Sequence, residues 1–137
     1  MVGAAFGVRA TAFHEVGGCD ESMQSLEDVD LSWRLQDAGH VPVFVPDAIV
    51  HYRYRQDLRA IWRQERSYGR WEAALIVKHR RMGLPARRAR SVLAGWAQIL
   101  RALGVSYSLP GRARPTTATA AAAGRLEGSL RHRILHL

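Results

Sequence analysis

Between Glu27 and His40 the chain reads Glu-Asp-Val-Asp-Leu-Ser-Trp-Arg-Leu-Gln-Asp-Ala-Gly-His, and no other stretch limits the fold so tightly. Three carboxylates within four residues stand where an apolar pattern of helical period begins, with Leu31, Arg34, Leu35 and Ala38 at i, i+3, i+4 and i+7. Carboxylates gather at helix starts because the first turn has unpaired N–H groups and the positive end of the helix dipole. The sequence therefore predicts a helix over 27–38, stopped by Gly39 in the left-handed conformation that ends helices. A cap needs one or two acids, so the adjacent pair Glu27–Asp28 exceeds what the helix start requires. Neighbouring carboxylates point in different directions; one can serve the helix while the other faces a cleft as a base for a hydroxyl. The plain alternative is that all three cap the helix and pair with Arg34, four residues after Asp30.

The flanks narrow the reading. Val2 to Val8 is small and apolar and reads as a buried strand. Thr11 to Val16 reads as a short helical turn closed by Gly17-Gly18, and Cys19 to Ser25 as a loop. After Gly39, Val41 to Val45 reads as a strand with Pro42 near its start, Pro46-Asp47 as a turn, and Ala48 to Tyr52 as a second strand that contains His51. In order, the pieces are Phe13, Gly17-Gly18-Cys19-Asp20-Glu21, Glu27-Asp28-x-Asp30-Leu31 with Arg34 a turn later, Ala38-Gly39-His40, Pro46 and His51. Together they resemble the C-terminal half of a family 2 glycosyltransferase with a GT-A fold. The resemblance covers residues 3–75, and Cys19 stands where the family usually has Phe.

The resemblance implies an α/β fold class: the C-terminal part of a GT-A (nucleotide-diphospho-sugar transferase) fold followed by amphipathic helices. Residues 1–56 would be the C-terminal part of the catalytic domain, 57–105 a helical extension packing on it, 106–118 a linker and 119–137 a terminal helix. It also implies roles. Asp28 takes the family's base position with Glu27 in the same acidic motif, Asp30 and Arg34 support it structurally, and Gly17, Gly18, Asp20 and Glu21 shape the acceptor side of the cleft. His51, 23 residues after Asp28, matches a histidine that completes a Mg²⁺ or Mn²⁺ site in several members. Without that context, a lone histidine at a strand end reads as locally bonded. The reaction implied is transfer of a sugar, with inversion, from a nucleotide-sugar donor to a hydroxyl acceptor, a glycan or lipid-linked sugar, in glycan or glycolipid assembly. No Asp-x-Asp precedes Glu27, so the metal would need a nucleotide-binding half that is expected upstream. The chain is then expected to be part of a longer enzyme, or else a catalytically inactive remnant of one.

Composition adds partners and exclusions. With 47% apolar residues in 137, the chain can bury a core of one domain's size. Residues 1–50 carry eight acids against two arginines, a net of −6, whereas 51–137 carry eighteen basic residues against four acids, a net of +14. Such a basic half fits either an anionic membrane surface or a solvated helix face. Nucleic acid is the weaker partner, since no helix-turn-helix, zinc or aromatic-platform pattern accompanies the charge. One cysteine excludes an internal disulfide framework and fits the reducing cytoplasm, with a peripheral position at the inner face of the plasma membrane. Helices are expected over 57–82, 85–103 and 119–137, the last with Leu126, Leu130 and Ile134 on one face. Trp33, Trp62, Trp71 and Trp96 read as core residues, or as contacts to sugar or headgroups.

Overall fold

The computed structural model describes residues 5–82, 94, 96–97 and 109–134. They fall into two compact units, Met1–Tyr54 and Arg55–Leu137.

The first unit holds α1 (Ala10–Glu15) and α2 (Glu27–Asp37). Both end in the same way. Gly17 and Gly18 take φ of 79° and 72°, and their N–H groups donate to the carbonyls of His14 and Phe13; after α2, the N–H groups of Gly39 and His40 reach Gln36 and Leu35. These are the paired 5→2 and 6→1 bonds that satisfy the last carbonyls of a helix, and they need a left-handed residue just past the C-cap. Leu31 and Leu35, one turn apart on α2, are buried against Ala12 of α1, with Val8, Phe13 and Val16 packed around them.

The expected strands are not formed. Val41–Val45 and Ala48–Tyr52 carry no regular structure, with a turn at Pro46-Asp47 between them, and among the described residues no β-bridge forms, so the α/β layering is not seen. The reason is physical. A strand gains its backbone hydrogen bonds only from a neighbouring strand, and here Val41, Val43 and Phe44 stay at least 80% exposed. Of the first expected strand, residues 2–4 lie outside the described residues, and 5–8 form no strand, leading through the extended N-cap Arg9 into α1.

The second unit holds α3 (Leu58–Lys78), a 3₁₀ turn (Arg80–Met82) and α4 (Leu109–His132). Asp57 caps α3 by accepting from the Arg59 and Ala60 N–H groups at 3.2 and 2.9 Å. The helix expected over 85–103 lies almost wholly outside the described residues. α4 starts ten residues before the expected position and takes in most of the segment expected as a linker. Pro110, in its first turn, lacks only an N–H that would be unpaired there anyway.

α3 and α4 run side by side in the same direction, for Gly124 lies against Arg66 and Gly128 against Arg70 and Ala73. The contact is between backbones. A Cβ on Gly69 would strike the Ala121 carbonyl, and one on Gly124 the Arg66 carbonyl; one on Gly128 would come within 2.8 Å of the Ala73 Cβ. Gly69-x₃-Ala73 on one helix and Gly124-x₃-Gly128 on the other are the small residues that permit such an approach. Ala120 and Ala122 are buried beside them, whereas Leu126 and Leu130, which share one face by spacing, are 48% and 72% exposed. Acids and arginines bridge the two helices: Glu127 holds Arg66 at 3.0 Å and Arg70 at 3.7 Å, and Glu72 holds Arg125 at 3.7 Å. Parallel neighbours align their dipoles unfavourably, so crossing charges that fix the register are useful here. Among the described residues no helix is long and apolar enough to cross a membrane.

Two outcomes follow from this packing. Gly124→Val must push the helices apart and is expected to lower stability by roughly 1–3 kcal/mol; a fall in the urea midpoint of the helical CD signal at unchanged slope checks it. Partial burial also raises the Glu65 carboxyl above its ordinary 4.5. The native state then binds this proton more readily than the unfolded state. The stabilisation is complete below the ordinary value and is lost as pH rises through the raised one. Glu65→Gln should remove that slope, seen as urea midpoints that no longer fall across the carboxylate range.

Candidate active site

The acidic doublet opens α2 with an unusual backbone. Leu26, its N-cap, has φ 64° and makes no side-chain cap bond, while its carbonyl accepts the first helical bond from the Asp30 N–H at 2.9 Å. A left-handed conformation costs a residue with a Cβ about 1–2 kcal/mol, so the packing around α2 holds it there. Glu27, Asp28 and Asp30 all lie in the first turn, at the positive end of the dipole. Asp28 is half-buried and its Oδ1 accepts from the Val29 N–H at 2.9 Å. Glu27 beside it is half-buried as well.

Asp30 differs from both. It is fully buried, and its Oδ2 takes Arg34 Nε at 2.8 Å and Nη2 at 2.7 Å. Arg34 then reaches across to the end of α1, donating from Nη1 to the Val16 carbonyl and from Nη2 to the Gly18 carbonyl at 2.7 Å. Its guanidinium thus bonds one carboxylate and two backbone oxygens with planar, fixed donors. Gly18 can pass so close because it has no Cβ: one added there would lie 3.1 Å from the Phe13 ring. Beyond it, Asp20 Oδ1 accepts from the Ser22 N–H at 2.9 Å and from its hydroxyl at 2.6 Å, which fixes the turn that carries exposed Glu21. The structure therefore links Asp30, Arg34 and Gly18 in one bonded group that fastens the loop 17–21 to the helix bearing Glu27 and Asp28.

His51 is not part of this group. It lies in an exposed segment without regular structure, and among the described residues no three of the His, Cys, Asp and Glu side chains converge to hold a metal. The donor set present does not fit a metal ion by itself; His51 offers a single imidazole. Trp33 is half-buried.

Two features had no visible sign in the sequence. His40 Nε2 and Glu15 Oε2 meet at 3.0 Å across 25 residues, joining the ends of the two helices; no local pattern connects them. The second is an open groove of about 1300 Å³ within the same unit, lined by residues 5–9, by Ser32, Gln36 and His40, and by residues 41–45 and 48–50. Neither Asp28 nor His51 lines it.

Removing one partner from a buried ion pair leaves an uncompensated charge and costs about 3–5 kcal/mol. Asp30→Ala is expected to fall in that range, and Arg34→Lys to lose most of the lock despite keeping its charge. Urea unfolding followed by Trp33 fluorescence gives both numbers, and the Asp30→Ala, Arg34→Lys cycle should be strongly non-additive.

The family model described as "Glycosyl transferase family group 2" matches residues 1–121. The chain is 40% identical over 94 residues to the pre-mycofactocin glycosyltransferase of Mycobacterium tuberculosis, covering 69% of this chain and 19% of that protein. It is 37% identical over 75 residues to the succinoglycan biosynthesis protein ExoA of Rhizobium meliloti, covering 55% of this chain and 23% of that protein. The chain thus spans about a fifth of the length of the curated relatives it matches. No solved structure matches it. With the family model covering residues 1–121, the chain belongs to the glycosyl transferase family group 2.

Proposed function

We propose that this region supplies the acceptor-side base of a GT-A transferase that moves a sugar, with inversion, from a nucleotide-sugar donor to a hydroxyl of a glycan or lipid-linked sugar. The observation that carries the reading is the stiffness of the α2 start. A general base must lie within hydrogen-bond reach of the hydroxyl it deprotonates, and an error of an ångström can cost about a hundredfold in rate. Asp28 is placed by its bond to the Val29 N–H and by the buried Asp30–Arg34 lock one turn away.

In this reading Asp28 accepts the acceptor hydroxyl's proton as the oxygen attacks the anomeric carbon. Glu27 adds negative potential and orients the acceptor, and the loop bearing Gly17, Gly18, Asp20 and Glu21 borders the acceptor. A divalent cation, Mg²⁺ or Mn²⁺, would neutralise the leaving diphosphate, held mainly by an Asp-x-Asp in the nucleotide-binding part of the longer protein, with His51 as one further ligand. The relatives' names, a pre-mycofactocin glycosyltransferase and a succinoglycan biosynthesis protein, point to different products built on a similar core. The shared core therefore leaves acceptor choice to loops. Peripheral contact with anionic lipid fits α3, where Arg59, Trp62 and Arg63 are exposed on one stripe.

A second reading, a remnant without catalysis, is favoured by the unpaired segment 41–54, which a self-sufficient fold would cover. In the longer transferase that carries this region, Asp28→Asn is expected to reduce transfer at least about a thousandfold while donor binding survives, within the usual reach of general-base removal. Turnover assays beside calorimetric titration of the nucleotide diphosphate with Mn²⁺ separate the two effects. Full turnover in Asp28→Asn would remove this residue from the role of base, and tight saturable nucleotide binding to the 137-residue chain alone would contradict the remnant.

A further inference from the structure

We propose that Arg34 is a positioning residue that lets the transferase favour its acceptor over water. By tying the loop 17–21 to α2, it fixes the distance between the surface bordering the acceptor and the base that deprotonates it. This role rests on the reading of Asp28 as base and of that loop as the acceptor's border; it adds the residue that decides between two competing nucleophiles.

In transfer, the acceptor oxygen bonds to the anomeric carbon, the bond to the diphosphate breaks and the diphosphate leaves with the electron pair. Asp28 takes the hydroxyl proton. Water can react with the same balance, giving free sugar and nucleoside diphosphate, and excluding that side reaction is part of what such a site must do. Water is small and abundant and needs no docking surface. An acceptor sugar competes only if its hydroxyl is held at the base, where a misplacement of about 1 Å can cost about a hundredfold in rate. The distance from docking surface to base therefore governs transfer and leaves hydrolysis nearly untouched.

The loop's own bonds do not set that distance. The Gly17 and Gly18 N–H groups go to α1, to the His14 and Phe13 carbonyls at 3.0 and 2.8 Å. Asp20 bonds Ser22, and the Met23 N–H reaches the Asp20 carbonyl at 3.0 Å, which shapes the turn from within. None of these bonds reaches α2. Arg34 does: one nitrogen, Nη2, lies 2.7 Å from the Gly18 carbonyl and 2.7 Å from Asp30 Oδ2, while Nη1 donates to the Val16 carbonyl. Asp30 is 0% exposed and shares the first turn of α2 with Glu27 and Asp28. A single rigid fork thus joins the start of the loop to the turn that carries the base. The Asp30 arm fixes the guanidinium on α2, and the carbonyl arm holds the loop to it.

Both reactions are read together in the longer transferase that carries this region, as glycosylated product and as free sugar. UDP-glucose, GDP-mannose and dTDP-rhamnose serve as donor probes and octyl glycosides as acceptor probes. Arg34→Lys keeps the charge but loses the planar fork. Gly18→Ala spares the Asp30 pair and displaces the loop instead, since its Cβ would lie 3.1 Å from the Phe13 ring at a φ of 72°. In both variants the ratio of transfer to hydrolysis is expected to fall about ten- to a hundredfold, with the acceptor KM raised and the donor KM unchanged. A ratio does not depend on how much enzyme is folded, so a purely structural role would leave it unmoved, and an unmoved ratio overturns the proposal. The loop is also read without substrate in the 137-residue chain. Cys19 is its only cysteine and is exposed. Spin labels there and on Asp37→Cys, exposed on α2, give the loop-to-helix distance by pulsed electron resonance. The distribution should be narrow in the parent chain and at least about twofold broader in both variants. Equal widths overturn the proposal even where no octyl glycoside is glycosylated. Asp28→Asn keeps the two readings apart: it lowers both reactions if Asp28 is the base, whereas an unmoved ratio in the Arg34 and Gly18 variants removes only the role given to Arg34.

Discussion

One guanidinium holds the acidic unit together. Arg34 bonds the buried Asp30 carboxylate through two nitrogens and the Val16 and Gly18 carbonyls through its two terminal ones. Those carbonyls lie just past the end of α1, where a helix leaves oxygens unpaired. The same residue therefore neutralises a buried charge, finishes one helix and fastens it to the next. Leucines 31 and 35 alone would let α2 slide or rotate against Ala12, because apolar contact is non-directional. The planar fork allows one geometry. Lysine could keep the charge but not the three-way grip.

The basic unit reaches rigidity by the opposite means. Its two helices meet through missing side chains, at Gly69, Gly124 and Gly128, so that backbone lies on backbone. Small apolar residues, Ala73, Ala120 and Ala122, are buried in the same unit, and close backbone approach adds dispersion contacts that larger side chains would prevent. Part of the positive charge that dominates residues 51–137 acts within this crossing. Arg66, Arg70 and Arg125 meet Glu127 and Glu72, which leaves Arg59 and Arg63 to face outward. Exposed pairs of this kind contribute little stability; their value is in register, because sliding by one turn would break all of them together.

What could be read from the sequence was what local chemistry decides. The α2 start, its stop at Gly39 and the Asp57 cap depend on a few adjacent residues, and each stands within a residue or two of the expected place. The strands over 41–52 could not be read correctly, because a strand depends on partners that may lie anywhere along a chain. The leucine spacing of α4 marks a helix without saying which face packs. Leu126 and Leu130 share a face, but the close approach runs along Gly124-x₃-Gly128 and leaves them exposed. The early start of α4 is a related case, with Pro110 tolerated in a first turn. Leu26 is different again. Nothing in its type announces a left-handed backbone, and only the packed context imposes it. In the candidate site, the doublet and its supporting pair were visible as a motif, whereas the Val16 and Gly18 carbonyls on Arg34 were not, since backbone oxygens leave no mark in a sequence.

The two halves of the acidic unit draw order from different sources. Around the carboxylates it is local: Leu26 in a left-handed conformation and the Arg34 lock both lie within two turns of the doublet. A carboxylate held in this way has little freedom left to lose when it meets a partner, which is the condition for placing a charge to within a fraction of an ångström. Residues 41–50 have no such local support. Their backbone bonds among the described residues are those from Ala48 to Val45 and from Ile49 to Asp47, and Val41, Val43 and Phe44 are at least 80% exposed. Backbone groups left to water gain order only when a neighbour pairs with them, so the order of α2 does not depend on that of residues 41–50.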